Sequence, residues 1–129
     1  MKYVRIYISL PISGYKLKER KKKAAQMKDQ VIEAVKTKNL AFVSKNGKPV
    51  SLTENNTVVI TPFDIVPDAT DMPYEHIMAK DLEVLMICDI ILFARHWQYS
   101  KGCRIEFAVA KELGIRMNFE SLEVAGEEQ

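Results

Sequence analysis

Two acidic residues, Asp81 and Glu106, occupy positions where aliphatic side chains are expected. On a helical wheel, Asp81 falls within the apolar stripe of residues 74–86, and Glu106 falls within that of residues 101–113. Because an ionised carboxylate is costly to bury without partners, such a group usually shifts its pKa, finds a hydrogen-bond donor or lines a cavity. The pattern predicts a pair of inward carboxylates, which form either a functional site or a buried brace bonded to backbone amides.

The end of the first predicted strand carries small and hydroxylated residues. Residues 3–9 form a nearly continuous apolar and β-branched run, which is typical of a parallel strand covered on both faces. Ser9, Ser13 and Gly14 lie at its carboxyl end, where open α/β sheets usually bind ligands. These residues suit a phosphate or a sugar hydroxyl, although a plain turn from strand to helix explains them about as well.

The hydrophobic periodicity of the rest of the chain predicts helices and strands that form one small sheet and position these residues. Helices are predicted at residues 16–38, 74–86 and 101–113, and further strands at residues 57–61, 89–93 and 115–119, with a Pro- and Asp-rich loop at residues 62–73. Ser100 is expected to cap the last helix and Gly114 to end it. Helices that alternate with strands predict an α/β fold, a doubly wound, flavodoxin- or Rossmann-like parallel sheet.

Two segments fall outside this alternation. Residues 39–52 contain Asn46-Gly47 between short apolar runs, which predicts an inserted hairpin; such a hairpin serves as a plain insertion, a lid or a packing arm at a subunit contact. Residues 120–129 are acidic and are predicted to form a loosely ordered tail. The single domain is therefore expected to span residues 1–119.

Composition excludes several classes of protein. The chain has 129 residues, 47% of them hydrophobic, and a net charge of +2, which fits one domain and does not favour a nucleic-acid duplex as partner. Cys88 and Cys103 form neither a disulfide framework nor a metal-ligand spacing. Without a signal peptide or a membrane-spanning run, a cytoplasmic setting is expected, with no membrane and no metal.

Five features of the sequence form a recognisable pattern: Tyr7, the loop at residues 9–14, the segments 80–85 and 88–91, and a Ser-x-Gly-x-x-x-Glu turn at residues 100–106. This pattern resembles the nucleoside 2-deoxyribosyltransferase superfamily. Within it the chain is most similar to the 2′-deoxynucleoside 5′-monophosphate N-glycosidases and to uncharacterised bacterial and phage relatives. The resemblance does not extend to the inserted residues 39–52.

The resemblance implies a double-displacement reaction. Glu106 is the implied nucleophile that attacks the anomeric carbon of a 2-deoxyribosyl group. Tyr7 is expected to orient that carboxylate, and Asp81 to hold the sugar hydroxyls or to assist proton transfer to the departing base. Ser100 corresponds to a serine that serves the 5′-phosphate in the hydrolases. No cofactor is required.

Gly102 and Trp97 complete the predicted site. Gly102 and Ser100 offer free amides and a hydroxyl at a helix start, which suits a phosphate. Trp97 is expected either to stack on a nucleobase or to serve in packing or a dimer contact. The implied partner is a nucleoside or nucleotide, and the implied assembly is a homodimer or higher homo-oligomer. The expected function is cleavage or transfer of the N-glycosidic bond of 2′-deoxynucleotides or deoxynucleosides, and the alternative is a non-catalytic nucleotide-binding or signalling module.

Overall fold

The computed structural model describes residues 3–11, 15–43, 47–66 and 72–120. Within these ranges the chain forms β1 (Val4–Ser9), α1 (Leu17–Thr37), β2 (Ala41–Val43), β3 (Pro49–Ser51), β4 (Thr57–Ile60), α2 (Pro62–Ile65), α3 (Tyr74–Leu85), β5 (Ile90–Phe93), α4 (Lys101–Leu113) and β6 (Arg116–Phe119). One turn of 3-10 helix, Trp97–Tyr99, precedes α4. The predicted helices and the strands of the main sheet agree with these bounds to within one residue at each end.

Four strands form a parallel sheet in the order β4-β1-β5-β6. The chain passes from β1 to β4 on one side, then crosses to β5 on the other side of β1 and continues to β6. This reversal creates a topological switch point between β1 and β5, and ligands of open α/β sheets bind at the carboxyl ends of the strands beside such a point. The predicted α/β fold with a doubly wound parallel sheet is confirmed.

Helices cover both faces of this sheet. Tyr7 of β1 packs in one apolar cluster with Leu85 of α3 and Ala110 of α4. Its neighbour Ile8 packs on the opposite face with Met27 of α1. Because successive side chains of a strand point to opposite faces, β1 is buried on both sides, as its apolar run predicts.

The prediction of a continuous loop over residues 62–73 is wrong at its beginning. Pro62–Ile65 is a short helix, α2. Proline suits the first helical position, and the amide of Thr61 donates to the carboxylate of Asp64 at 2.8 Å, which stabilises the start of the helix. The Pro and Asp content of this segment predicts irregular structure. The local capping contacts instead stabilise a short helix at its beginning.

The inserted hairpin is confirmed as a separate two-stranded sheet. Strands β2 and β3 pair antiparallel, with Val43 opposite Pro49, and the Asn46-Gly47 turn lies partly outside the described residues. Phe42 of β2 is buried in a cluster with Val4 and Ile6 of β1. The hairpin therefore packs against the main sheet of its own chain.

The acidic tail predicted at the end of the chain lies outside the described ranges after Glu120, at residues 121–129. Among the helices that the structure describes, none combines the length and the apolar character needed to cross a bilayer.

Candidate active site

Strand β1 presents two hydroxyl groups to helix α4. Tyr7 and Ser9 are two residues apart, so they point to the same face of the sheet. The Tyr7 hydroxyl donates to Oε2 of Glu106 at 2.5 Å, and the Ser9 hydroxyl donates to Oε1 at 2.5 Å. Both oxygens of the Glu106 carboxylate are therefore held by β1.

Helix α4 positions Glu106 through its caps and its periodicity. Ser100 is the N-cap, and its Oγ accepts a hydrogen bond from the amide of Cys103 at 3.3 Å. Gly114 ends the helix with a φ of 71°, in the left-handed region that favours glycine. Glu106 shares the buried face of this helix with Cys103 and Ala110, and it is only 4% exposed. The inward position predicted for Glu106 is confirmed.

Helix α3 brings the second carboxylate to the same place. Asp81 lies on the buried face of α3 with Met78 and Leu85, and it is only 3% exposed. Among the residues that the structure describes, its Oδ1 is a buried oxygen without a hydrogen-bond partner. A buried oxygen in this state is costly, which makes it a natural contact for a bound molecule.

Both carboxylates line one cleft of about 270 Å³ at the carboxyl end of the sheet. The lining residues are Leu10, Pro62, Tyr74, Ile77, Met78, Asp81, Ser100, Lys101, Gly102 and Glu106. Tyr7 contacts this cleft indirectly, through its hydrogen bond to Glu106. Tyr7, Asp81 and Glu106 therefore converge, although they come from three different elements, and the alternative of carboxylates braced by backbone amides does not describe Glu106.

Burial perturbs the titration of both carboxylates. It raises the pKa of Glu106 to about 7, while the hydrogen bonds from Ser9 and Tyr7 act in the opposite direction. Burial and the neighbouring charge of Glu106 raise the pKa of Asp81 to about 7. Burial, followed by the Glu106 charge, raises the pKa of Tyr7 well above its usual range, so it stays a neutral donor.

The hydrogen-bond donors decide which of the two carboxylates is ionised first. Glu106 accepts two hydroxyl protons that stabilise its anionic form, whereas Asp81 Oδ1 has no donor among the described residues. When the pair holds one proton, that proton therefore resides on Asp81. The arrangement provides one ionised and one protonated carboxyl group, the combination that paired acid and base chemistry requires.

The raised pKa of Asp81 predicts that the protein loses stability as pH rises. The folded protein binds the proton more tightly than the unfolded chain, so this contribution is complete below about pH 4 and is lost as pH rises through about 7. We expect Asp81→Asn to be more stable than the parent at about pH 8. The gain in its free energy of unfolding over the parent should be about 1–3 kcal/mol larger at about pH 8 than at about pH 5. Urea denaturation at both pH values measures this difference, and an equal effect at both values contradicts it.

The other predicted site residues are divided between the cleft and its surroundings. Ser100 and Gly102 line the cleft. Ser9 does not line the cleft; its hydroxyl donates to Glu106 and orients that carboxylate, whereas the sequence predicts contact with a phosphate or a sugar hydroxyl. Ser13 and Gly14 lie outside the described residues.

Trp97 does not line the cleft. Its ring stacks on Phe107 with the centroids 4.9 Å apart, and it also lies 5.0 Å from Phe93 and 5.6 Å from Phe119. The packing role left open for this tryptophan is the one that the structure favours, because these partners form a cluster on β5, α4 and β6.

Tyr74 and Lys101 also line the cleft, and neither is predicted from the sequence as a site residue. A Cβ atom at Gly102 would lie 3.2 Å from the Tyr74 hydroxyl, so glycine permits this close approach. Burial and the charge of Glu106 raise the pKa of Tyr74. The ammonium of Lys101 lies 6.0 Å from the centre of the Tyr74 ring. Tyr74 fits an ordinary apolar stripe and Lys101 an ordinary polar face, so no local signal distinguishes them.

The fold and the cleft together define a doubly wound α/β domain with two buried carboxylates beside its switch point. The chain belongs to the family described as a domain of unknown function, DUF4406, whose model matches residues 31–119. No curated protein matches the chain. The matched region contains Asp81 and Glu106, whereas Tyr7 and Ser9 precede it.

Proposed function

We propose that this protein cleaves or transfers the N-glycosidic bond of 2′-deoxynucleotides or deoxynucleosides by double displacement at Glu106. The observation that carries the proposal is the placement of the Tyr7 and Ser9 hydroxyls on the two oxygens of Glu106, with Asp81 in the same cleft. The preference for a 2-deoxyribosyl group comes from the resemblance to the nucleoside 2-deoxyribosyltransferase superfamily. The cleft supplies the two carboxyl groups that this chemistry requires.

In the first step an oxygen of the Glu106 carboxylate attacks the anomeric carbon. A carboxylate oxygen has about two lone-pair positions, and each oxygen of Glu106 uses one for its hydroxyl donor, so one remains for attack. The bond from the anomeric carbon to the base breaks, and its electron pair passes to the base nitrogen. Asp81 gives its proton to the departing base, which leaves as a neutral molecule.

In the second step an acceptor attacks the anomeric carbon of the glycosyl ester. The acceptor is water in hydrolysis or another base in transfer. Asp81, now ionised, takes the proton of the acceptor, and the bond to the Glu106 oxygen breaks to restore the carboxylate. Two displacements at one carbon retain its configuration, and each step is easier than a single direct displacement.

The test is turnover of a panel of deoxynucleosides, their 5′-monophosphates and the matched ribonucleotides, with chromatography of the released base. The glycosyl ester itself is detected as an increase in intact protein mass by one deoxyribosyl group, which is absent from the Glu106→Gln variant. Binding of these compounds without release of base, and without a mass increase, would support the alternative of a non-catalytic nucleotide-binding or signalling module.

Lys101 is expected to make a 5′-phosphate the preferred substituent. It lies at the cleft beside Ser100, where the first turn of α4 also favours an anion. Removing one charged contact of this kind typically costs about 1.5 kcal/mol, so Lys101→Gln should lower the preference for monophosphate over nucleoside by about tenfold. The ratio of kcat/KM for one matched pair of substrates measures this preference.

A matched control for this prediction is Lys111→Gln. Lys111 is exposed near the other end of α4 and does not line the cleft. The control should keep the parental ratio. Equal loss for both substrates in Lys101→Gln, or faster turnover of the nucleoside by the parent, contradicts a phosphate role for this end of the cleft.

A further inference from the structure

A second cleft, of about 450 Å³, lies on the opposite face of the sheet from the carboxylates. Its walls are the first turns of α1 and the segment that follows β5, and Leu10 lines both clefts. Ligand pockets commonly have volumes of about 300–1,000 Å³. The second cleft is therefore large enough for a small molecule, and it opens at the carboxyl ends of β1 and β5, beside the switch point.

The charges around this cleft are mainly positive, and some of them are already neutralised. Lys23 forms an ion pair with Glu120 at 2.6 Å. The carboxylate of Glu19 accepts a hydrogen bond from the amide of Lys16 at 2.9 Å, so it is occupied at the start of α1. The hydrogen bond from the amide does not remove the charge of Glu19, so this one carboxylate faces the two guanidinium groups of Arg20 and Arg95, and the net charge of the cleft is positive.

No acidic side chain in the described ranges forms an ion pair with Arg20 or Arg95. Arg20 donates through Nε to the carbonyl of Tyr15 at 3.3 Å, which orients the group and leaves its terminal nitrogens for another acceptor. Arg95 is exposed at the opposite wall. Two guanidinium groups therefore face one cleft from two elements.

The segment that carries Arg95 is held in place. Glu120 Oε1 accepts a hydrogen bond from the backbone amide of Arg95 at 2.9 Å, while Oε2 binds Lys23 of α1. The next residue, His96, has a φ of 69°, and a left-handed conformation is uncommon for a residue other than glycine. Glu120 thus connects the two walls, and His96 also lines the cleft.

We propose that this second cleft binds the phosphate or pyrophosphate group of a small anionic ligand. The planar guanidinium groups of Arg20 and Arg95 each present paired donors that match the oxygens of a phosphate, and His96 adds an imidazole to the same wall. The site is separate from the carboxylates, so it does not depend on the glycosidic chemistry proposed above.

The test is calorimetric titration with inorganic pyrophosphate. We expect saturable binding to the parent and at least tenfold weaker binding to the double variant Arg20→Gln/Arg95→Gln. The matched control is Arg116→Gln, which removes the same charge at the amino end of β6, whereas the cleft lies at the carboxyl ends of the strands. This control and Lys101→Gln, which removes the cation proposed to bind a phosphate in the carboxylate cleft, should both bind pyrophosphate as the parent does, which separates the two clefts.

Two outcomes would overturn the proposal. One is binding of pyrophosphate with unchanged affinity in the double variant, with circular dichroism confirming that the variant is folded. If the double variant is unfolded, Arg95→Gln replaces it, because this side chain is exposed, and at least threefold weaker binding is then required. The other outcome is the absence of saturable pyrophosphate binding to the parent; binding of a short single-stranded DNA through the same arginines in its place would make the cleft part of a nucleic-acid surface.

Discussion

Glu106→Gln is expected to abolish release of the base from every substrate that the protein turns over. The amide has nearly the same shape as the carboxylate but cannot form the glycosyl ester, so kcat should fall by at least about a thousandfold. The measurement is chromatography of the released base under saturating substrate. This is the largest effect that we expect from a single substitution.

The same variant should not be less stable than the parent at about pH 8. Its side chain keeps an acceptor for one of the hydroxyls of Tyr7 and Ser9, and it removes a buried charge whose pKa is raised to about 7. Glu112→Gln, on the exposed side of α4, is the matched control and should keep full activity. Base release at the parental rate by Glu106→Gln contradicts its role as nucleophile, and a large fall in Tm with an inactive parent would make Glu106 a structural brace.

Asp81→Asn is expected to lower kcat by about 10²–10⁴-fold for bases that depart only after protonation. The parent needs Glu106 ionised and Asp81 protonated, and the pKa of each is raised to about 7, so its rate should be highest near neutral pH and fall on both sides. The variant lacks the group whose ionisation causes the alkaline fall. Its residual rate should therefore rise with pH to a plateau.

The leaving group provides a sharper test of the same residue. A base that departs as a stable anion needs no proton, so the loss in Asp81→Asn should shrink to less than about tenfold for such a substrate. Glu83→Gln, on the exposed side of α3, is the matched control and should behave as the parent. A loss of the same size for every leaving group would show that Asp81 holds the sugar hydroxyls and does not deliver the proton.

The two buried carboxylates could be predicted because helix periodicity is a local property. A repeat of 3.6 residues assigns each position of α3 and α4 to a face, so Asp81 and Glu106 are predicted to point inward before any partner is known. The caps of α4 are equally local, since Ser100 and Gly114 act on the helix that they bound. The apolar run of β1 likewise predicts a strand that is buried on both faces.

The partners of those carboxylates depend on contacts between distant parts of the chain. Alternation along β1 places Tyr7 and Ser9 on one face, but it does not determine whether that face meets α1 or α4. The strand order β4-β1-β5-β6 and the helix packing decide it, and they bring hydroxyls to Glu106 across 99 and 97 residues of sequence.

The roles of Trp97 and Tyr74 also depend on contacts between distant parts of the chain. The tryptophan is equally suited to stacking on a base and to packing, and only its position against Phe107 decides between them. Tyr74 fits an apolar stripe, yet the absence of a side chain at Gly102 on another helix lets its hydroxyl reach the cleft. Amino-acid sequence by itself therefore determined which faces are buried, because burial follows local periodicity. Tertiary structure alone decided which groups meet, because those contacts depend on how separate elements pack.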